Sequence, residues 1–387
     1  MSHLDDHRGP RRMAALLALL LAATACAPAA APAPTAAPKA GAATSAPAAA
    51  APTAAAAQAV PPTPLPAPVH VRIASQFAST DIGHYLAVER GYYKEGGLDV
   101  ELVNFAAASE MIPSLATDQV EVGGVGPNPA TWNAVARGVP LKLVMDKGSV
   151  RPGYGYTTLV IRKEVYDSGR GRGITDLRGL RIAFTPPGLA TTNAMPMAVG
   201  MERAGASIDD LVIEPIPFPD QVAALANGSV DGAMIVEPFL NRVVSQGTAV
   251  RVMGLDEMYP DFPIAQVGFG PGFYASPAAK AFVRGYIRAL RDYNNAVAGR
   301  TTPADRAEVD EIMSRYTRID AATVHDMVPV GLNPNGRFNV DGVRHAYRWF
   351  RERGFIPEPV SDAAIDNLIG IGLVDQVLAE LGRVPES

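Results

Sequence analysis

The stretch SLATDQVEVGGVGPNPATWNAVARGVPLKLVM (residues 114–145) returns in pattern as ALANGSVDGAMIVEPFLNRVVSQGTAVRVM (residues 224–253). In each copy a Val-acid pair precedes a run of small and apolar residues, after which a Pro begins an amphipathic pattern. A Gly stands nine residues after each Pro, and the segment behind that Gly ends in Met. Because Pro suits the first turn of a helix and Gly suits its C-terminal end, each copy predicts a strand, a helix and a second strand.

Two such copies predict two α/β lobes of similar build, each with a mostly parallel sheet and a crossover helix behind it. In sheets of this kind, ligands bind beyond the carboxyl ends of the strands. Those ends are VGPNP (residues 125–129) in the first copy and IVEPF (residues 235–239) in the second. We therefore expect a ligand site between these two segments.

The composition excludes several classes of function. The chain has 387 residues, which is ample for two domains with their own cores. A formal net charge of −5, with no Lys/Arg run, indicates that nucleic acid is not a partner. Its one cysteine, Cys26, excludes a disulfide framework and a Cys-based metal site, and the six His never fall at ligand spacing. We expect no metal and no cofactor.

The first 69 residues read as an export signal and a tether. Within residues 1–26, a short apolar run (MAALLALLLAA, 13–23) follows three Arg, which fits a signal peptide and is too short to span a bilayer. Cys26 follows small residues as in a bacterial lipobox, although Ala23 stands where Leu is usual, so we expect lipidation; an ordinary signal peptide is the alternative. Residues 27–69, nearly all Ala, Pro and Thr, predict a disordered tether. The chain is thus expected to be extracytoplasmic and lipid-anchored.

Three motifs carry a family resemblance. The first is A-x-x-x-G-Y-Y-x-x-x-G-L-x-V, from Ala87 to Val100, and the second is L-A-x-x-x-V-E-x-G, from Leu115 to Gly123. The third is I-x-D-L-x-G-x-R-I-A at residues 174–183. Together they resemble the SsuA/THI5-like (NMT1) solute-binding proteins, which serve ABC importers for taurine, alkanesulfonates, nitrate and vitamin precursors. The resemblance covers roughly residues 70–300.

The resemblance implies a fold, a partner and a role. The fold class is α/β, a two-lobe periplasmic-binding-protein-like fold (type II) whose lobes are joined by two crossing strands and backed by a helical C-terminal buttress. Residues 70–152 with 265–387 are expected to form lobe 1, and residues 153–264 are expected to form lobe 2. The implied role is that of a monomeric binding protein that captures a small-molecule ligand and delivers it to an ABC permease in the membrane.

The residue types present argue against an enzyme. Pyrimidine-precursor synthases of the same group use a cysteine-rich iron motif, and porphobilinogen deaminase, which has a related fold, attaches its cofactor through a Cys. Cys26 precedes the mature domain, so both chemistries are excluded. No GxSxG, Walker loop or HExxH motif is present. A sensor-type or structural surface lipoprotein on the same fold is the alternative to an import role.

The strand ends, helix starts and crossings carry the candidate ligand contacts. Such sites combine backbone N–H groups at helix starts with a few side chains. The candidates are Gln76, Phe77, Ser109 and Asn128 in lobe 1, Thr185, Thr191, Thr192, Asn193 and Glu237 in lobe 2, and Tyr154, Tyr156 and Gln266 near the crossings. Other roles stay open: helix capping for Ser109 and Asn193, turn positions for Thr185 and Thr191, core packing for Phe77 and Tyr156, and a helix-dipole contact for Glu237.

The same residues bear on the class of ligand. Sulfonate or nitrate needs a cluster of donors and usually a cation. The predicted strand ends offer hydroxyls and amides but no Arg or Lys, with Arg151 the nearest. Aromatic side chains and Glu237 favour an aromatic nitrogen heterocycle, such as a pyrimidine thiamine precursor or a flavin-type vitamin. Taurine, an alkanesulfonate or nitrate remains the alternative.

Overall fold

The computed structural model describes residues 64–105 and 108–386. Its strands alternate with helices up to about residue 270, after which helices predominate. The strands are β1 (Val69–Ser75), β2 (Leu98–Asn104), β3 (Val122–Val125), β4 (Lys142–Val150), β5 (Thr157–Arg162), β6 (Arg181–Phe184), β7 (Val212–Pro215), β8 (Gly232–Val236), β9 (Ala249–Gly254) and β10 (Phe262–Phe269).

The helices pack around these strands. They are α1 (Ile82–Glu89), α2 (Tyr92–Glu95), α3 (Ala108–Ala116), α4 (Pro129–Ala136), α5 (Lys163–Asp167), α6 (Ala194–Arg203), α7 (Phe218–Asn227), α8 (Phe239–Ser245), α9 (Leu255–Met258), α10 (Pro271–Tyr274), α11 (Pro277–Val297), α12 (Pro303–Thr317), α13 (Ala321–Asp326), α14 (Val340–Glu352), α15 (Asp362–Leu368) and α16 (Gly372–Leu381). Short 3₁₀ turns lie at Ser79–Asp81, Gly188–Ala190 and Ile208–Asp210.

The strands form two five-stranded sheets of the same topology. The first has the order β2-β1-β3-β10-β4 and the second has the order β7-β6-β8-β5-β9. In each sheet one strand runs against its neighbours: β10 is antiparallel to β3 and β4, and β5 is antiparallel to β8 and β9. These two strands are the ones that the chain inserts after crossing from the other sheet. The predicted α/β fold with two crossing strands is confirmed.

The repeated stretch folds as the sequence predicts. The first copy forms β3, α4 and β4, and the second copy forms β8, α8 and β9. Gly138 and Gly247, just past the two helices, have φ angles of 80° and 67°, a backbone conformation that glycine adopts without steric cost. The two prolines differ in position, because Pro129 is the first residue of α4 whereas Pro238 precedes α8.

The acidic residue of each repeat has a structural role that its position alone does not reveal. Glu121 accepts hydrogen bonds from the Arg72 backbone N–H at 2.7 Å and from the Arg72 guanidinium at 2.7 and 3.1 Å. Asp231 accepts the equivalent three bonds from Arg181 at 2.8–3.2 Å. Glu121, just before β3, is thus bonded to β1, and Asp231, just before β8, is bonded to β6. In each sheet these two strands are parallel neighbours. The internal repeat therefore extends upstream to these two arginines.

The C-terminal helices form the predicted buttress, with one correction. The spacing of five apolar residues in α11 predicts that they share one face, and all five are buried: Phe282, Val283, Tyr286, Ile287 and Leu290. The sequence of residues 361–382 predicts a single helix, whereas the structure has two helices here, α15 and α16. The chain breaks between them because the backbone N–H of Gly370 donates to the carbonyl of Leu143 in β4 at 2.7 Å, which extends the edge of the first sheet.

Several predictions concern residues that the structure does not describe. The signal peptide, Cys26 and residues 27–63 of the predicted tether lie outside residues 64–386. The predicted end of the tether at residue 69 is corrected, because Val69 is the first residue of β1 and the Leu65 N–H bonds to the Gly96 carbonyl. Within the described ranges, no helix combines the length and apolar character that crossing a membrane requires. Lipidation of Cys26 therefore remains a prediction from sequence.

Candidate ligand-binding site

A cavity of about 550 Å³ opens between the strand ends of the two sheets, and we refer to it as the cleft. Its volume falls in the usual range for small-molecule sites. One wall comes from the segments that follow β1 and β3, and the other comes from the segments that follow β7 and β8 and precede α6. Both crossings and the chain after α12 complete it. VGPNP and IVEPF thus meet at one cavity, as the sequence predicts.

The segment after β1 is held in a tight turn at the edge of the cleft. Phe77 has a φ angle of 51°, which is uncommon for a residue with a bulky side chain. Its N–H donates to the Ser75 hydroxyl oxygen at 3.0 Å, and that hydroxyl donates to Asp81 at 3.0 Å. The same Asp81 oxygen accepts the N–H of Ala78 at 3.3 Å. Asp81 therefore organises the turn that brings Gln76 and Phe77 to the cleft.

Lys147 supplies the cleft with a cation that was not predicted from the sequence. It projects from β4 into the cleft, and its Nζ lies 2.8 Å from Asp81 Oδ1 and 3.0 Å from Thr80 Oγ1. Burial alone would raise the pKa of Asp81, but the Lys147 ammonium holds that pKa below its ordinary value. The VGPNP and IVEPF strand ends carry no Arg or Lys, but the cleft contains this ammonium from the middle of β4. Because Asp81 balances its charge, Lys147 is not an unpaired cation.

A glycine in β3 explains how Lys147 reaches the cleft. A Cβ on Gly124 would lie 3.0 Å from Lys147 Cε and 3.3 Å from its Nζ, so a larger residue would obstruct the side chain. Gly126 allows the two sides of the cleft to approach closely. A Cβ on this residue would lie only 2.8 Å from the Ile264 carbonyl oxygen and 3.0 Å from Thr192 Oγ1. Next to it, the Asn128 side-chain amide donates to Thr192 Oγ1 at 3.5 Å.

Glu237 is buried at the second wall, and both its oxygens accept backbone hydrogen bonds. Oε2 accepts the N–H of Asn241 in the first turn of α8 at 2.9 Å, and Oε1 accepts the N–H of Val328 at 3.1 Å. Burial raises the pKa of Glu237, although these two N–H groups oppose the shift. The helix-dipole role left open for this residue is therefore present. The carboxylate also joins the second wall to the C-terminal part of the chain.

Two aromatic side chains of the second wall were not predicted. Phe218 and Phe239 stack with their ring centroids 6.3 Å apart and an interplanar angle of 18°. Each directly follows a proline just beyond a strand of the second sheet, Phe218 after β7 and Phe239 after β8. This shared Pro-Phe pattern was a signal in the sequence that could have identified them. With Phe77 and Tyr156 they make the lining strongly aromatic.

The structure brings seven of the twelve predicted contacts together in the cleft. They are Gln76, Phe77, Asn128, Tyr156, Thr192, Asn193 and Glu237. Asn128 is also the N-cap of α4, where its side chain accepts the N–H of Thr131 at 3.2 Å. Asn193 precedes α6 without making a side-chain cap bond. The VGPNP and IVEPF segments supply two of the seven, Asn128 and Glu237, and the other five come from the chain after β1, the crossing into β5 and the segment before α6.

Four predicted contacts lie elsewhere. Tyr154 lines a separate cavity of about 560 Å³, together with Arg151. Gln266 is buried in β10 and donates to the carbonyl of Pro263 at 3.1 Å. Thr185 and Thr191 belong to a turn that closes on itself, since both the Gly188 N–H and the Thr191 hydroxyl bond within it. The Ser109 side chain is outside the described part, although its backbone lies in α3.

Comparisons with known proteins agree with this fold. The sequence profile of the family described as "NMT1/THI5 like" matches residues 79–295. A binding protein of Brucella abortus is 22% identical over 260 residues, which are 66% of this chain and 74% of the relative. The aliphatic sulphonate binding protein SsuA of Escherichia coli has a similar structure, with a TM-score of 0.62, 17% identity and coverage of 78% and 92% of the two chains. The nitrate-binding protein NrtA of Synechocystis PCC 6803 also gives 0.62, with 14% identity and coverage of 81% and 89%.

Proposed function

The chain belongs to the NMT1/THI5-like family, and from this premise we propose that it is the extracytoplasmic solute-binding component of an ABC importer. Residues 70–152 with 265–387 would act as lobe 1 and residues 153–264 as lobe 2, enclosing a small organic molecule for delivery to a permease. The observation that carries the proposal is the cleft of about 550 Å³ between matching strand ends of the two sheets. A stoichiometric binder without catalysis is consistent with its aromatic and hydroxyl-bearing lining.

We infer that the ligand is an aromatic nitrogen heterocycle. Of the described residues that line the cleft, Lys147 and Glu237 are the charged ones. Lys147 is already neutralised by Asp81, so an added anion would face Glu237 with no unpaired ammonium to attract it. The Phe218 and Phe239 rings offer a planar ligand stacking area instead. A pyrimidine thiamine precursor or a flavin-type vitamin has the required shape.

A sulfonate or nitrate is the second candidate. Two observations support it: the similar structures include the sulphonate-binding protein SsuA and the nitrate-binding protein NrtA, and the Lys147 ammonium lies at the cleft. Nitrate would fill little of a cavity of about 550 Å³, which favours the larger sulfonates within this class. A non-transport sensor or structural surface lipoprotein would use the same fold, and the lack of any ligand-dependent closure in small-angle scattering would favour that role over import.

Ligand class is tested by thermal shift with a panel of pyrimidines, flavins, sulfonates and nitrate, after native mass spectrometry of the purified protein. A ligand that binds the folded state alone must raise the melting temperature. Phe239→Ala is expected to weaken binding of the active compound roughly 2- to 10-fold through lost stacking. Phe355→Ala, a partly buried ring outside the cleft, should lower the melting temperature but leave the affinity unchanged. Equal affinity in both variants would place the ligand elsewhere.

We also propose that Cys26 carries a lipid anchor and that residues 27–63 of the predicted tether connect it to the binding domain, which is thereby held at the membrane surface. The apolar run at 13–23 followed by small residues and Cys26 supports this, and Pro at this density keeps a tether extended. Cys26→Ala is expected to move the full chain from the membrane fraction to the soluble fraction in the native host. Unchanged fractionation, together with an unlipidated mass for the wild-type protein, would show that the signal peptide is simply removed.

A further inference from the structure

Tyr156 lines the cleft, and its hydroxyl is buried. The residue is 1% exposed, and its hydroxyl has no hydrogen-bond partner among residues 64–105 and 108–386. The backbone holds the ring in place, since the Tyr156 N–H donates to the Tyr154 carbonyl and its own carbonyl accepts the Glu237 N–H, both at 2.9 Å. Buried polar groups in folded proteins nearly always have partners. An unpaired hydroxyl in a binding cleft therefore indicates a group that a ligand satisfies.

The Tyr156 hydroxyl is a neutral donor. Burial raises the pKa of Tyr156 well above its ordinary value, and the nearby Asp146 and Tyr293 raise it further. Ionisation is thus excluded at neutral pH. The Tyr156 hydroxyl can therefore donate a hydrogen bond to an acceptor atom of a ligand. A neutral acceptor would add no charge next to the Glu237 carboxylate.

A second donor lies close by. The Lys147 ammonium donates to Thr80 Oγ1 and forms an ion pair with Asp81, which leaves part of its three-donor capacity for a further partner. Thr80 also lies near Tyr156. A Cβ placed on Gly148 would be 3.4 Å from the Thr80 methyl group and 2.9 Å from the Tyr156 hydroxyl, so both groups adjoin Gly148. The Lys147 ammonium and the Tyr156 hydroxyl therefore both lie near Thr80, at one side of the cleft. Since an ammonium cannot accept, this side of the cleft selects an acceptor.

Resting on the proposed solute-binding function, we propose that Tyr156 and Lys147 bind a ring carbonyl oxygen of the ligand, so that the substrate class is a planar heterocycle bearing a carbonyl. A neutral carbonyl takes two hydrogen bonds without adding charge. An ionised sulfonate would instead compete with Asp81 for Lys147. The stacked rings of Phe218 and Phe239 would accommodate the plane of the same ligand.

The test uses two matched pairs of probes, uracil with pyrimidine and lumichrome with phenazine, in which only the first member carries ring carbonyls. The wild-type protein is expected to bind the carbonyl member of at least one pair tenfold or more tightly by calorimetry. Tyr156→Phe should reduce that ratio at least fivefold while its unliganded melting temperature is unchanged or higher. Tyr154→Phe removes a hydroxyl outside the cleft and should leave the ratio as in the wild type.

The outcomes separate this inference from the proposed function. Equal binding within both pairs, or an unchanged ratio in Tyr156→Phe, overturns the carbonyl site. Binding of taurine or nitrate, but of no ring compound, also overturns it while the solute-binding function stands. If no probe binds and native mass spectrometry of the full chain from its own host finds no small molecule, both proposals fail.

Discussion

Lys147→Met is expected to lower the free energy of unfolding by about 3–5 kcal/mol, the cost of removing one partner of a buried ion pair. The substitution keeps the length of the side chain but leaves the Asp81 carboxylate, which is 0% exposed, without its ammonium. Asp81 would retain its bonds from Ser75 and Ala78, which offset only part of the cost of burying an uncompensated charge. Urea unfolding followed by circular dichroism at neutral pH measures the change.

Two further variants test the explanation. Lys163→Met breaks an exposed pair with Asp167, whose side chains are 53% and 56% exposed, and should cost less than about 1 kcal/mol. Adding Asp81→Asn to Lys147→Met removes both charges and should recover a large part of the loss. If Lys147→Met were no more destabilising than Lys163→Met, the pair would be hydrated and the cleft would hold an available cation, which would favour an anionic ligand.

The architecture and both strand-end segments could be predicted because their signals are local. Pro129, Pro238, Gly138 and Gly247 mark the helix ends in each copy, and the cleft forms where the preceding strands end. The Val-acid pairs were visible too, but their bonding to arginines about 50 residues upstream requires the parallel register of β1 with β3 and of β6 with β8. Local pattern therefore predicts elements, whereas pairing between strands decides what their side chains contact.

Lys147 shows why part of the site could not be predicted. It lies in the middle of β4 rather than at a strand end, and its side chain reaches the cleft only because Gly124, on another strand, leaves room. Gln266 shows the opposite case, since it is close to the crossing in sequence but its neighbours Ile264 and Ala265 face the cleft instead. Thr317 and Ile319 line the cleft from a region where the sequence predicted only a helical buttress. Each of these depends on contacts between distant segments.

The difference in the free energy of unfolding between the wild type and Asp146→Asn is expected to change by about 2–3 kcal/mol from roughly pH 4 to pH 7. Asp146 is buried in β4, and burial raises its pKa to about 6, although the Ser149 hydroxyl and the N–H groups of Asn333 and Gly148 favour the anion. Between its ordinary pKa of 3.8 and about 6, the unfolded chain has lost a proton that the folded chain retains. Rising pH through this window therefore favours unfolding, and the advantage of the wild type over Asp146→Asn should shrink.

Urea unfolding of the wild type and Asp146→Asn across this pH range measures the difference in their free energies of unfolding. The titration of all other groups contributes equally to both proteins and cancels. Ser149→Ala is the matched second variant: it removes the hydroxyl that donates to Asp146 Oδ1 at 2.7 Å, so the pKa should rise further and the loss of stability should extend to higher pH. A wild-type advantage over Asp146→Asn that grows with pH would contradict this expectation. It would mean that the three hydrogen bonds to the carboxylate outweigh its burial, so that Asp146 stabilises the contact between β4 and Asn333 as an anion.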